Sequence, residues 1–370
     1  MKKLGFGLMR LPLLDENDNR TVDIETVKSM VDLFMSRGFT YFDTAAPYHR
    51  GCSETAFREA VAKRYPRDAY TITDKLSLFM VQSENELQGF FDAQLERLGV
   101  DYMDYYWLHG LNVESYADAQ RYNAFAFLQR LKSEGKVKHI GFSFHETPEV
   151  LEKILTEHPE MEFVQLQLNY LDWNDAALRA KDCYEIATRH GKPVIVMEPV
   201  RGGALAKLPI EAENVFRSLD PGDSNASWAI RFAATHENVM VVLSGMSDMA
   251  QMEDNTSYMQ DFKPLDEREM AAALYAAEII RTSITIPCTG CHYCTDGCPK
   301  HIAIPEYFAV YNLLQTRLDR PEMAYNYYKS ISSNHGRASE CIGCGQCEER
   351  CPQHLPIREN LKLVAESLEV

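Results

Sequence analysis

Residues 41–54 read YFDTAAPYHRGCSE. The aromatic pair Tyr41-Phe42 closes on Asp43, and the chain then passes Pro47 to a polar segment opened by Gly51. The stretch predicts a short strand that ends on a carboxylate and turns over into a helix. Strand-like runs recur at GFGLM (5–9), AYTITDK (69–75), DYMDYYWLH (101–109), VKHIGFS (137–143), EFVQLQLN (162–169), PVIVMEP (193–199) and VMVVLSG (239–245). Between them lie amphipathic segments long enough for helices. SRG (36–38) closes the segment that opens near Ile24, KSEGK (132–136) the one near Ala117, and RHGKP (189–193) the one near Asp175. Each places a glycine where a helix C-cap belongs.

Counting the run at 41–43, eight strand candidates over roughly 250 residues predict an α/β chain whose first part is a (β/α)8 TIM barrel. The rival, a doubly wound open sheet, would carry G-x-G-x-x-G after its first strand, and none stands there. After DFKPLDE (261–267) one more helix runs to about Arg281. We therefore expect a barrel over 1–281 and a smaller domain over 282–370.

The formal net charge of −16 on 370 residues opposes nonspecific attraction to nucleic acid or to an anionic membrane surface. The start, MKKLGFGLMRLP, has an apolar run too short for a secretory signal, and no segment approaches the roughly 18 apolar residues of a membrane span. These features lead us to expect a soluble, cytoplasmic protein with no nucleic-acid or membrane partner.

In a (β/α)8 barrel, chemistry gathers at the strand C-termini. Those ends deliver Asp43, Lys75 and His109, with Tyr48 in the loop after the first of them. Taken singly, each has a structural explanation: a capping Asp, a packed Tyr, a hydrogen-bonded His. Together they can polarise and protonate a carbonyl. A free phenol titrates near 10, too high for acid–base work at neutrality, and an adjacent ammonium favours its anion. Lys75 would supply that charge, Asp43 would hold Lys75, and His109 would hydrogen-bond the substrate oxygen as negative charge develops there.

On FDTAAPY with GCSE after it, TDK, and LHG, in that order and at those strand ends, residues 1 to about 260 resemble the aldo/keto reductases. The resemblance implies NAD(P)-dependent oxidoreduction of a small carbonyl or alcohol, with Asp43, Tyr48, Lys75 and His109 as the catalytic set. It also implies a bound NADP or NAD. Ser143 and Gln165 would hold the nicotinamide amide, and Met197 would lie against its ring. Arg201 and Gly202 would follow the pyrophosphate, and Ser244, Gly245, Gln251 and Asn255 the adenosine end. Phe144 replaces the family's Asn beside Ser143, and Gln251 stands where many members place an Arg against the 2′-phosphate. Loop residues Phe79, Met80, Leu111 and Tyr116 are expected to form an apolar opening.

Eight of the ten cysteines fall in two runs, CTGCHYCTDGCPK (288–300) and CIGCGQCEERCPQ (341–353). Each reads C-x2-C-x2-C-x3-C-P, whereas structural zinc takes C-x2-C pairs about a long loop. Cys52 and Cys183 stand alone and read as ordinary thiols. The paired runs resemble a bacterial two-[4Fe-4S] ferredoxin, with an insert over 300–340 that carries helix starts at IPEYF and DRPEMAY. A largely helical ferredoxin-like domain follows. That resemblance implies crossed ligation: Cys288, Cys291, Cys294 and Cys351 on one cluster, Cys341, Cys344, Cys347 and Cys298 on the other. The chain thus reads as a reductase-like oxidoreductase carrying two clusters for electron transfer, acting on a small-molecule carbonyl or alcohol and exchanging electrons with a redox partner protein. The alternatives are a reductase whose clusters form a structural or docking module, and a redox-sensing binding subunit.

Overall fold

In the computed structural model, which describes residues 2–175, 178–316 and 321–369, all eight expected runs contain strands. They are β1 (Leu4–Gly7), β2 (Tyr41–Asp43), β3 (Thr71–Leu76), β4 (Met103–Leu111), β5 (Val137–Phe144), β6 (Phe163–Gln167), β7 (Val194–Met197) and β8 (Val239–Gly245). Each pairs in parallel with the next, and β8 returns to β1 to close the barrel. Tyr41, Trp107, Phe163, Ile195, Val241 and Leu243, from β2, β4, β6, β7 and β8, form one buried cluster, as expected of a barrel interior filled by side chains. Two glycines make room for it. A Cβ on Gly5 would stand 2.7 Å from Leu243 Cδ2, and one on Gly141 2.5 Å from the Phe163 carbonyl oxygen.

Local chemistry explains the helix starts and two departures from expectation. The helix Ile24–Ser36 begins where the Asp23 side chain accepts from Thr26 N–H, satisfying one of the orphan donors of a first turn. The helix expected from Ala117 to KSEGK is two, Val113–Arg121 and Ala124–Ser133. Asn112 and Ser115 form a capping box that starts the first early, and Asn123 at φ 51° breaks the second away from it. The helix expected from Asp175 spans Ala180–Arg189, after Arg179 at φ 47°.

Two compact units result: one comprises the chain up to Pro199 with Ala226–Glu267, the other Val200–Asn225 with Arg268–Val370. The segment Val200–Asn225, which follows β7, thus groups with the cysteine-bearing chain. In that second unit the helices Ile304–Thr316, Pro321–Ser332 and Ile357–Leu368 enclose a core that includes Ile304, Tyr307, Phe308, Leu361 and Val364. Both proline-marked starts are therefore helical, and Tyr307 and Tyr328 meet at 4.6 Å between ring centroids. Among the described residues no helix is long and apolar enough to cross a membrane.

Candidate functional site

Register places the barrel residues. Asp43 pairs with Thr73 across β2 and β3, and Lys75 with Trp107 across β3 and β4. Side chains two apart share a face of a strand, so Asp43, Thr73, Lys75, Trp107 and His109 all face one side. Lys75 Nζ donates to both Asp43 oxygens at 2.9 Å and to the Thr44 carbonyl at 2.7 Å. Thr73 Oγ1 adds a bond to Asp43 Oδ1 at 2.8 Å. Lys75 is 1% exposed and Asp43 4%. Burial pushes the Asp43 carboxyl above its ordinary range, against the pull of the Lys75 ammonium and of Thr73. With three acceptors around Nζ, the ammonium's hydrogen bonds are complete.

Tyr48 lies over this pair. Lys75 Nζ is 4.7 Å from the centre of its ring and 5.0 Å from that of Trp107, and His109 meets Tyr48 edge-on at 6.0 Å. His109 is half-buried, and desolvation of its ring first, then Lys75 and His145, holds its pKa well below the usual histidine range. Its imidazole is neutral, with Nδ1 2.8 Å from Ser77 Oγ. Tyr48 opens a tight turn in which His49 and Arg50 adopt φ 51° and 50°, values unusual for residues bearing a side chain. A buried bridge holds this turn: His49 Nε2 accepts from Leu11 N–H at 3.0 Å while Nδ1 lies 2.7 Å from the Asn19 carbonyl.

Part of the GCSE motif supports the site from outside. Ser53 Oγ donates to the Leu8 carbonyl and meets Thr44 Oγ1 at 2.7 Å. Glu54 is fully buried in an ion pair with Arg97. Beside it the buried Asp74 carboxyl is pushed well above its ordinary range by burial and by the charge of Glu54. Asp74 Oδ1 accepts from Lys75 N–H at 2.7 Å, and Gln94 donates to the Lys75 carbonyl at 3.1 Å. The backbone of Lys75 is thus held on both sides. Sequence reasoning missed Thr73, Ser77, Trp107, Asp74 and Gln94; only the two-residue strand period could have pointed to Thr73 and Trp107.

Of the residues assigned to a dinucleotide, Ser143 and Gln165 face each other in register on β5 and β6 and are 1% and 3% exposed. Ser143 Oγ accepts from Gly110 N–H at 2.6 Å, and Gly110 takes φ 65°, which explains the glycine of LHG. Met197 ends β7 opposite Gln167. At the end of β8, Asn255 Nδ2 donates to Ser244 Oγ at 2.9 Å, and the side chain of Arg10 packs 3.4 Å from where a Gly245 Cβ would be. Gln251 is exposed, and its amide donates to the carboxylate of Asp248, the N-cap of the helix Met249–Gln260. Arg201 and Gly202 lie in the second unit, where Arg201 Nη2 donates to the Pro287 carbonyl at 3.1 Å. Phe79 is 71% exposed and Met80 47%, but Leu111 and Tyr116 are buried and belong to the core.

In the second unit the thiols line two cavities, four to each. Cys288, Cys291, Cys294 and Cys351 surround one with Phe308 and Ile357; Cys298, Cys341, Cys344 and Cys347 surround the other with Ile302 and Leu361. Each cavity takes three cysteines from one run and the last from the other. Left-handed residues bend the loops round them, Gly290 and His292 at φ 66° in the first and Gly343 and Gly345 at 72° and 82° in the second. Such turns expose successive N–H groups to an anion, and Gly290 N–H donates to Cys288 Sγ at 3.4 Å. Burial pushes the Cys288 and Cys347 thiols up to about 11. Iron would therefore have to displace their protons. Among the described residues no trio of His, Cys, Asp or Glu is drawn round a single point as the ligands of one ion would be. Cys183 is a buried thiol away from both runs, pushed up to about 12 chiefly by burial.

The chain matches the aldo/keto reductase family over residues 3–274 and the 4Fe-4S dicluster domain over residues 287–355. It is 25% identical over 324 residues to the NADH-specific methylglyoxal reductase of Escherichia coli (strain K12), covering 74% of this chain and 96% of that one. A probable aldo-keto reductase 1 of Glycine max is 28% identical over 167 residues, 43% of this chain, and the match spans only 46% of the soybean protein. Among solved structures, an aldo-keto reductase from Klebsiella pneumoniae in complex with NADPH superposes with a TM-score of 0.59 at 17% identity, over 75% of this chain and 90% of the other. Because the family match takes in every strand from β1 to β8, the chain belongs to the aldo/keto reductase family, with a 4Fe-4S dicluster domain joined on its C-terminal side.

Proposed function

We propose that the barrel mouth interconverts a small carbonyl and its alcohol with a nicotinamide cofactor, and that the cysteine unit holds two [4Fe-4S] clusters that exchange single electrons with a redox partner protein. The observation that carries the first part is the Lys75 ammonium, held by both Asp43 oxygens and the Thr44 carbonyl with its charge 4.7 Å from the Tyr48 ring. In that place the charge favours the phenolate and so eases proton release from Tyr48. Tyr48 gives its proton to the carbonyl oxygen in reduction and takes it back in oxidation. His109, neutral at its depressed pKa, can donate a hydrogen bond to that oxygen without adding a second positive charge beside Lys75.

The paired burial of Ser143 and Gln165 on neighbouring strands fits a carboxamide, whose donors and acceptor need partners when buried. These two residues would hold the nicotinamide, Met197 would lie against its ring, and Ser244, Gly245, Gln251 and Asn255 would border the adenosine. When bound, the nicotinamide supplies or receives the hydride. An NADH-specific relative and a distant NADPH complex support the cofactor class. Gln251, tied to the Asp248 carboxylate, offers no cation to a 2′-phosphate, which supports weak discrimination between NADP and NAD.

The four-thiol lining of each cavity, three cysteines from one run and one from the other, fits two cubanes and supports crossed ligation. Bound clusters supply one-electron chemistry. Cys294 and Cys351, which would hold one cluster, are buried, whereas Cys344, which would hold the other, is exposed. A survey of NADH and NADPH oxidation by anaerobically purified protein against a panel of aldehydes and ketones tests the whole reading. Turnover with at least one carbonyl is expected, and silence across the panel would contradict it.

A further inference from the structure

Tyr48 opens a turn that its backbone alone does not favour. His49 and Arg50 hold φ 51° and 50°, a left-handed conformation that crowds any residue with a Cβ. Tyr48 N–H donates to the Ala45 carbonyl at 3.0 Å and Arg50 N–H to the Pro47 carbonyl at 3.1 Å, and the helix Cys52–Phe57 follows directly. The His49 ring ties this turn, after β2, to the loop after β1: Leu11 N–H donates to Nε2 at 3.0 Å, and Nδ1 lies 2.7 Å from the Asn19 carbonyl. That loop folds back on itself, with Leu13 bridged antiparallel to Val22 and Leu14 N–H donating to the Thr21 carbonyl at 2.7 Å. The two partners dictate the state of the ring. An amide N–H only donates and a carbonyl only accepts, so Nε2 is the acceptor and Nδ1 carries the proton. His49 is 7% exposed, and a second proton, on Nε2, would set two N–H groups against each other away from water.

We propose that His49 is a positioning residue for Tyr48: its neutral ring, protonated on Nδ1, locks the left-handed turn that aims the phenol, and a proton gained at Nε2 unlocks it. The proposal rests on the reading that Tyr48 moves the proton between carbonyl and alcohol. Once the bond to Leu11 is lost, nothing in the bridge opposes relaxation of the strained turn, and the phenol leaves its place beside Lys75, whose Nζ is 4.7 Å from the ring centre. The other charged and titratable side chains about the bridge are Arg10, Asp18, Arg20 and Arg50, with Tyr48 and Cys52 in the turn itself. Asp18 pairs with Arg20 at 2.8 Å and is held at about 2, first by that hydrogen bond. Of all these groups only the imidazole has an ordinary pKa between about pH 5 and 8. Burial lowers it, against the pull of the Asn19 carbonyl, so the ring is neutral at pH 7 and gains its proton in acid.

Two measurements on the full-length, anaerobically purified protein test this. Nitrogen-15 NMR reads the bridge without turnover: at about pH 7.5 His49 should show Nδ1–H and a bare Nε2, with a nitrogen–nitrogen coupling to Leu11 through the hydrogen bond that vanishes in acid. Single turnover with NADH or NADPH and the fastest carbonyl of the aldehyde and ketone panel, followed from about pH 8 to 5, reads the consequence. His49→Gln, whose amide offers a donor and an acceptor but does not titrate, should keep more than about a tenth of the wild-type rate at pH 8 and move the acid limb at least about one pH unit lower. His49→Ala, which restores neither bond, should lower the rate about tenfold or more at every pH, as misplacing a reacting group does, with nicotinamide affinity within about threefold. A His49 ring protonated on Nε2 at neutral pH would overturn the proposal, and so would an acid limb unmoved in His49→Gln. A Tyr48→Phe protein that turns over at the wild-type rate would remove the reading beneath it, and the inference with it, even with the Leu11 coupling present.

Discussion

The barrel mouth and the cysteine unit are built on opposite principles. Asp43, Tyr48, Lys75 and His109 come from three strands and a loop, and only closure of the barrel brings them together. Their charges are mutually satisfied within the chain: ammonium on carboxylate, hydroxyl on carboxylate, neutral imidazole on hydroxyl. The eight cysteines sit in two short runs whose spacing already resembles the ligand geometry. Yet the thiols of Cys288, Cys294, Cys347 and Cys351 are pushed above their ordinary range, chiefly by burial, and within the proposed reading iron would replace their protons. One site is organised by the fold; the other, in the proposed reading, would be completed by what it binds.

The largest expected effect breaks the first half of that contrast. Asp43→Ala leaves the Lys75 ammonium buried without its counter-charge, and breaking a buried pair by removing one partner costs about 3–5 kcal/mol. Denaturant unfolding of the barrel should show that loss, and a change below about 1 kcal/mol would mean that Lys75 is not held as a buried pair.

Acid should also distinguish the two units. His49, His109 and His236 all lie in the barrel unit with pKa values lowered chiefly by burial, His236 to about 4. Below about pH 6.5 the unfolded chain binds protons there that the folded barrel does not, so stability falls as pH drops from about 6.5 toward the folded values. Each histidine contributes a slope of at most about 1.4 kcal/mol per pH unit. His236→Gln should reduce the slope between about pH 6 and 4.5, and a slope unchanged by that substitution would show that His236 is not buried neutral.

The smallest effect sharpens the second half. Cys298→Ala should lower iron from about eight to about four per chain and remove the cluster lined by Cys341, Cys344 and Cys347, sparing the one lined by Cys288, Cys291 and Cys294. Loss of the latter instead would show that each run holds its own cluster.

The same contrast explains what could be read directly from the sequence. All eight strands were legible because buried parallel strands leave near-continuous apolar runs, and the cysteine runs because their ligand spacing is local. Contacts made across the barrel were not. Thr73 on Asp43, Ser77 on His109 and the Asp74 and Gln94 support behind Lys75 depend on register and helix docking, which no short window contains. The break at Asn123 came from a left-handed residue inside an otherwise helical pattern. Leu111 and Tyr116 read as an apolar opening because loop position suggests exposure, but the long β4 and the helix Val113–Arg121 bury them. Arg201 followed the family's loop in sequence, while its side chain donates to the carbonyl of Pro287, 86 residues later.

The account turns on Tyr48 as the group that moves the proton. Rapid-mixing single turnover of the bound nicotinamide with a carbonyl substrate, compared between the wild type and Tyr48→Phe, tests this most directly. The account predicts cofactor binding within about twofold of the wild type and a rate constant lower by about 100-fold or more, the scale of a lost general acid. A Tyr48→Phe protein that turns over at the wild-type rate would contradict it.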